Sequence, residues 1–409
     1  MGYDTDARQG CSVRSIVSMV NISDFAHLRV LLLVSLALLA GCMHPHQHRL
    51  LAETIAPARP AQVAAVHRIY VATSRASTEE PGVVFSGERA HEPSYALVDV
   101  SVPAIHETGK LELAPSPQVA DPARYFAALR AGLYKSETGF RNALARNIAA
   151  HDGRLLVFVH GYNTSFDAAV YRMTQIVHDS GYRGLPLLFT WPSAGRAIDY
   201  IYDNNSATVA RDALEHTLRL VARSGAQRID IVAHSMGSWV TMEALRQLAI
   251  TGDRNLGGKL ADVVLASPDI DVDVFKAQMR RYGDPDRSFF ILNSRGDKAL
   301  DLSGFIAGNR PRLGGAINAE ELAEFGVIVI DVTQVSSPDF LGHTKFAENP
   351  LLIRLLGEGL AETGAQPLAD QAITRRLANL ARGIGQTVGS AAELVVTTPF
   401  EVLDIAVGN

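Results

Sequence analysis

The stretch "DIVAHSMGSW", Asp230 to Trp239, decides the fold. Asp230 to Ala233 has the composition of a buried strand, and from Met236 to about Ala249 the apolar positions recur at helical spacing. A chain that leaves a strand and enters a helix at one residue needs small neighbours on both sides of the corner. Ala233-His234-Ser235-Met236-Gly237 supplies them. It matches the G-x-S-x-G nucleophile elbow, with alanine in place of the first glycine. Such a corner projects the serine oxygen above a sheet and aims the next backbone N–H at the same point in space.

Working outward, short apolar runs alternate with helical patterns. The runs are "RLLVFVH" (154–160), "LPLLFTW" (185–191), "RIDIVA" (228–233), "ADVVLA" (261–266), "SFFILN" (288–293) and "FGVIVIDV" (325–332). Between them, Phe166–Ser180 and Ser206–Ser224 read as helices. Upstream, "HRIYVATSRA" and "SYALVDVSVP" read as strands, and Pro122 to Ala150 as helical. Strands this apolar, separated by helices, predict an α/β fold: a mostly parallel central sheet with helices on both faces.

A serine hydroxyl is a weak nucleophile until a base takes its proton and a carboxylate orients that base. In an α/β-hydrolase fold the chain order is serine, acid, histidine. Of the 13 histidines only His343 follows Ser235, in a loop after the last central strand. Asp297, just past the strand that ends at Asn293, is the expected acid, with Asp269 as its competitor. Asp269, Asp271 and Asp273 otherwise read as surface or capping residues of the next helix. The expected oxyanion donors are the N–H groups of Met236 and Tyr162, with Asn163 next, because "VFVHGYNTSF" ends a strand in a His-Gly turn. His160 reads as a support of that loop. Trp191 and Ser193 border the cleft or simply pack.

The blocks "RIYVATSRA", "LLVFVHGYNTSFDAAVYR", "FTWPSAG", "DIVAHSMGSW", "ASPDIDVDVF", "SRGDKAL" and "LGHTKF" together resemble a bacterial α/β-hydrolase family of unassigned physiological substrate. They run from about residue 67 to 346. The resemblance implies a serine hydrolase fold with esterase-like machinery and supports Ser235, Asp297 and His343 as a catalytic triad. The expected reaction is cleavage of a carboxylic ester, from a small molecule or a lipid, with no cofactor and no metal. Amidase, thioesterase or acyltransferase chemistry would use the same triad, and a silent envelope binding protein would share the fold.

The chain has 409 residues, 47% of them hydrophobic, and a formal net charge of −5 with interleaved signs, which gives no sign of a nucleic-acid partner. "HLRVLLLVSLALLAGC" places Arg29 before an apolar run too short to span a bilayer comfortably, then Leu39-Ala40-Gly41-Cys42. That tetrapeptide resembles the lipobox of bacterial lipoproteins, which implies lipidation at Cys42. Residues 1–41 are then a signal peptide, with Met19 an alternative start, and 42–66 a tether in which His44, His46 and His48 are solvated. Residues 67–364 form the hydrolase domain and 365–409 an amphipathic, then apolar, extension. Met43 after the cysteine, by resemblance to lipoprotein sorting, favours the outer membrane facing the periplasm.

Overall fold

The aliphatic runs on either side of Ser235 pair side by side, because each is apolar on both faces and is stable only between neighbours with helices above and below. The computed structural model describes residues 54–80, 82–115, 119–285, 289–315, 318–361, 392–400 and 402–407. Its main sheet contains β1 (Val63–Ser77), β2 (Phe85–Pro103), β3 (Ala127–Leu133), β4 (Arg154–Val159), β5 (Leu185–Thr190) and β6 (Arg228–His234). It continues through β7 (Leu260–Ala266), β8 (Phe289–Asn293), β9 (Val327–Asp331), β10 (Ala392–Thr397) and β11 (Val402–Val407). The spatial order is β11-β10-β9-β8-β7-β6-β4-β5-β1-β2-β3. From β9 across to β1 every pairing is parallel; the pairs at both edges are antiparallel.

Alternation along each strand builds two cores. Leu155, Val157 and Val159 of β4 join Ile229, Ile231 and Ala233 of β6 on one face. There they meet Leu144 of α1 (Glu137–Ile148), Leu218 of the long Tyr200–Arg223 helix, and Val240 and Leu245 of the Met236–Ile250 helix. Leu156, Phe158 and Val232 point to the other face, against Val170, Met173 and Ile176 of α2 (Phe166–Ser180). Each fully buried aliphatic or aromatic side chain contributes about 1.5–3 kcal/mol. In chain order the Tyr200–Arg223 and Met236–Ile250 helices are α3 and α4. They are followed by α5 (Val272–Tyr282), α6 (Lys298–Ile306), α7 (Ala319–Ala323), α8 (Lys345–Glu348) and α9 (Pro350–Ala361).

Strand β5 lies on one side of β4 and β6 on the other, so the chain reverses its direction across the sheet between β4 and β6. In open α/β sheets the crevice beyond the carboxyl ends of two such strands is where ligands bind. The loop beginning at His160 and the corner at Ser235 both open into that crevice.

Three segments differ from the sequence reading. Part of the stretch read as helical, Pro122 to Ala150, is β3; α1 begins only at Glu137. Val98 and Val100 of β2 present an open strand edge that Ala131 and Ala128 complete, and pairing overrides the weak strand propensity of "AALRAGL". The described part of the C-terminal segment is the β10–β11 hairpin, which pairs Val329 with Thr397 and packs Leu394 and Val396 on Ile328 and Ile330. Helix α3 starts at Tyr200, six residues before Ser206. The expected signal peptide, Cys42 and the first part of the tether, residues 42–53, lie outside the described residues. Among those described, no helix is long and apolar enough to cross a membrane.

Candidate active site

Ser235 occupies φ 53°, ψ −125° between β6 and α4, a conformation that L residues rarely adopt. Two backbone bonds pin it there: its N–H donates to Ala266 O at 2.9 Å, and Asp269 N–H donates to its carbonyl at 3.2 Å. The corner also requires two bare glycines. A Cβ on Gly237 would lie 2.3 Å from His160 O and 2.6 Å from Val159 O; one on Gly161 would lie 2.9 Å from Ser235 Cβ. The first motif position accepts alanine because Ala233 points into the core. Among the described residues the Ser235 hydroxyl has no hydrogen-bond partner.

His343 sits in the loop after β9, and its ring Nδ1 donates to Asp297 Oδ2 at 2.7 Å. A carboxylate accepts only, so in the tautomer this bond selects Nδ1 carries the proton and Nε2 is the nitrogen free to accept one. The other oxygen of Asp297 caps α6, accepting from Ala299 N–H and Leu300 N–H, both at 3.1 Å. One buried carboxylate therefore fixes both the imidazole and the helix that follows it. Asp339 holds the histidine's backbone, accepting from His343 N–H at 2.9 Å. Burial would raise its pKa, but N–H donors from Leu341, His343 and Thr344 outweigh that and hold the carboxyl below its usual range.

Asp269, the competing acid, is elsewhere occupied. It is buried, pairs with Arg312 Nε at 3.2 Å, and accepts from Ser303 Oγ at 2.5 Å and Tyr200 Oη at 3.0 Å. The reading of Asp269 as a surface or capping residue is corrected: Asp271 caps α5, accepting from Asp273 N–H and Val274 N–H. A buried guanidinium needs a carboxylate, and Asp269 is its partner.

On the opposite side of the crevice, the Asn163 N–H is given to Asp203 Oδ2 at 3.1 Å, whereas the Tyr162 N–H makes no hydrogen bond among the described residues. Met236 N–H is the first of α4, where helix donors lack intrahelical acceptors. Of the two loop donors weighed from the sequence, Tyr162 is thus the one left open.

Several residues that hold this loop were not legible as such. Arg75, fully buried, donates from Nη2 to Thr164 O at 2.6 Å, from Nη1 to Ser193 O at 2.9 Å and from Nε to Thr190 Oγ1 at 2.8 Å. Burial pushes its pKa down to about 10, against the pull of Asp203 and Asp167. Asp203 in turn accepts from Ala194 N–H at 2.7 Å and Ser193 Oγ at 2.6 Å. His160 supports the loop as expected, donating from Nδ1 to Gly161 O at 2.8 Å while Nε2 accepts from Trp191 N–H at 3.2 Å. Burial, then Arg75, pushes its pKa down to about 3. Trp191 stacks on His160 and Ser193 braces Asp203; both are fully buried and form structure behind the crevice, not its border. His234, unremarked in the sequence, donates from Nε2 to His343 O at 3.1 Å and so ties the elbow to the histidine loop. Lys345 donates to Ser294 Oγ at 3.0 Å and to Val332 O and Thr333 O, each at 3.2 Å, holding the loops after β8 and β9 together.

Among the described residues no three His, Cys, Asp or Glu side chains converge as metal ligands. An open apolar groove lined by Ala56, Pro60, Val63, Val66 and Leu129 lies at the start of β1, at the other end of the sheet.

The arrangement has recognisable relatives. The family model described as "Alpha/beta hydrolase of unknown function (DUF900)" matches residues 136–359, which include Ser235, Asp297 and His343. No curated protein sequence matches the chain. Among solved structures, Aspergillus fumigatus lipase B aligns at 10% identity and TM-score 0.35, over 59% of this chain and 62% of the lipase. The chain thus spans less than two thirds of that lipase's length. A dienelactone hydrolase-like promiscuous phosphotriesterase, P91 from metagenomic libraries, aligns at 8% identity and TM-score 0.25, over 59% and 75% of the two chains. An FAE structure aligns at 9% identity and TM-score 0.23, over 63% and 77%.

Proposed function

Because the chain belongs to the α/β-hydrolase family of unknown function, we propose that it is a serine hydrolase that cleaves carboxylic esters through an acyl-enzyme on Ser235. The observation that carries this reading is the 2.7 Å bond from His343 Nδ1 to Asp297 Oδ2, in a loop tied by His234 to a strained serine corner. In the proposed reaction Ser235 Oγ attacks the acyl carbonyl while His343 Nε2 takes its proton. Asp297 holds the tautomer and stabilises the imidazolium that forms. The N–H groups of Met236 and Tyr162 receive the charge on the carbonyl oxygen. Collapse breaks the ester C–O bond, and His343 returns the proton to the departing alkoxide. Water then attacks the acyl carbon, again giving its proton to His343, and Ser235 leaves with that proton as the acid is released. Contacts between a catalytic serine and its base tighten when substrate binds.

The same groups would serve an amide, a thioester or acyl transfer. Ser235→Ala and His343→Ala test the reading: each removes nearly all esterase activity, and the double variant is little worse than either single one, because the groups act as a unit. Losses that multiply contradict it. We further propose that Cys42 carries the lipid that holds the domain to the outer membrane, on the strength of the Leu39-Ala40-Gly41-Cys42 tetrapeptide. Cys42→Ser then abolishes palmitate incorporation; persistent labelling of the variant refutes the anchor.

A further inference from the structure

Helix α6 follows the candidate acid directly, and three of its large apolar side chains face outward. Leu302, Phe305 and Ile306 fall at i, i+3 and i+4, the spacing of a core-facing stripe, yet they are 57%, 69% and 45% exposed. Apart from Leu300, which is buried, the inward face is polar or bare. Ser303 Oγ donates to Asp269, and Gly304 lies so close to Arg310 that a Cβ there would be 2.8 Å from its carbonyl oxygen. A helix turned this way gains nothing from its apolar stripe unless something else covers it.

Two neighbouring segments extend the stripe. On one side Tyr162 Oη donates to Ala197 O, and Tyr200 Oη and Ser303 Oγ are 2.8 Å apart, so the 197–201 segment lies between the oxyanion loop and α6. Ile198 and Ile201 are exposed there. On the other side Lys298 N–H donates to Leu341 O at 3.0 Å, and Lys298 Nζ sits 3.7 Å above the ring of Phe340, which is also exposed. An apolar rim therefore runs from the Tyr162 loop, along α6, to the loop carrying His343. At about 1.5 Å per residue, Leu302 and Phe305 stand about 7 and 12 Å along the helix from the cap at Asp297.

We propose that this rim seats the hydrocarbon chain of the substrate, and hence that the site takes esters bearing a medium or long apolar chain. The inference rests on the ester-hydrolase reading and narrows it. The occupant is the substrate's own chain because the rim is continuous with the groups that would bind the reacting carbonyl. A chain lying on it starts at the scissile bond, and it would cover apolar surface that monomeric proteins seldom leave bare beside a site.

The test uses p-nitrophenyl acetate, butyrate, octanoate and laurate as monomers in solution, with octyl acetate as a parallel arm that puts the chain on the alcohol side. Half-covering each added methylene raises kcat/KM about twofold, so octanoate exceeds butyrate about 16-fold in one arm or the other. Leu302→Ser/Phe305→Ser, both on the surface, reduces the octanoate-to-acetate ratio, or the octyl-acetate-to-ethyl-acetate ratio, to within about threefold of unity, with the circular dichroism of the folded protein. Ser235-dependent cleavage of acetate with no chain preference in either arm, or a preference that survives the double variant, overturns the rim while leaving the hydrolase reading intact. Absence of Ser235-dependent cleavage of every ester overturns both. A concentration-dependent dimer, seen by light scattering and abolished by the double variant, assigns the stripe to a second copy of the chain and also overturns the proposal.

Discussion

Replacing Asp297 with asparagine separates its two duties. Asparagine caps a helix about as well as aspartate, so Oδ1 can keep its bonds to Ala299 N–H and Leu300 N–H. The other atom becomes an amide N–H pointing at His343 Nδ1. The ring then accepts at Nδ1 and carries its proton on Nε2, the nitrogen that must take the serine proton. In another serine-hydrolase triad this tautomer error costs roughly 10⁴-fold in kcat, about 5.5 kcal/mol of barrier. The stability loss is only about 1 kcal/mol, the difference between a charged and a neutral hydrogen bond. Asp269→Asn behaves oppositely. It leaves the Arg312 guanidinium buried without its carboxylate, a loss of roughly 3–5 kcal/mol. Its melting temperature therefore falls well below that of Asp297→Asn, while the kcat of the protein that stays folded remains within about tenfold of wild type. Measuring kcat on a soluble ester and Tm by circular dichroism for both variants decides between them. If Asp269→Asn loses turnover and Asp297→Asn keeps it, the acid has been misassigned.

Three further outcomes follow from the geometry. Ser235→Gly relieves the positive φ and raises stability by about 1–3 kcal/mol while abolishing turnover; a lower Tm than wild type contradicts a strained corner. Gly237→Ala drives a methyl into the backbone carbonyls of Val159 and His160, losing about 1–3 kcal/mol or more, with kcat falling as the oxyanion loop shifts; an unchanged Tm in thermal melts refutes that contact. His160, with its pKa pushed down to about 3, refuses in the fold a proton that the unfolded chain accepts near 6.5, so its contribution is complete above pH 6.5 and is lost as pH falls. Asp167 and Asp230, whose burial holds them up at about 6, act in the opposite sense. The readout is therefore a difference: between pH 6 and 5, His160→Gln lowers the slope of stability against pH by about one proton, roughly 1.4 kcal/mol per unit, in urea titrations. An unchanged slope contradicts a neutral buried ring.

The central strands and α2 were legible to within a residue or two, because each strand buries both faces and therefore reads as an unbroken aliphatic run. Ser235, Asp297 and His343 were singled out by their order along the chain and their places after strands, and two of the three are in hydrogen-bond contact. What escaped depends on contacts far apart in sequence. Strand β3 exists because β2 offers it an edge, and the alanines of "AALRAGL" carry no sign of that. Arg75 in "VATSRAS" looks like any arginine near a strand end; its role appears only when Thr164 and Ser193 arrive from two other loops. Asp269 resembles its neighbours in "SPDIDVDVF" until Arg312 folds back onto it. The turn of α3 before Ser206 was missed because Tyr200 and Asp203 look solvent-facing, yet both point inward to partners. In α6 the spacing of Leu302, Phe305 and Ile306 is that of a core-facing stripe, yet these side chains face outward.

If Ser235 is a nucleophile activated by His343, a fluorophosphonate probe will phosphonylate it, and mass spectrometry of peptides will locate the adduct. Serine displaces fluoride and keeps the phosphonyl group only when a base removes its proton. The expected result is a single adduct on the peptide containing Ser235, absent in Ser235→Ala and reduced by orders of magnitude in His343→Ala. No adduct, an adduct on a different serine, or labelling of Ser235 at an undiminished rate in His343→Ala would contradict it.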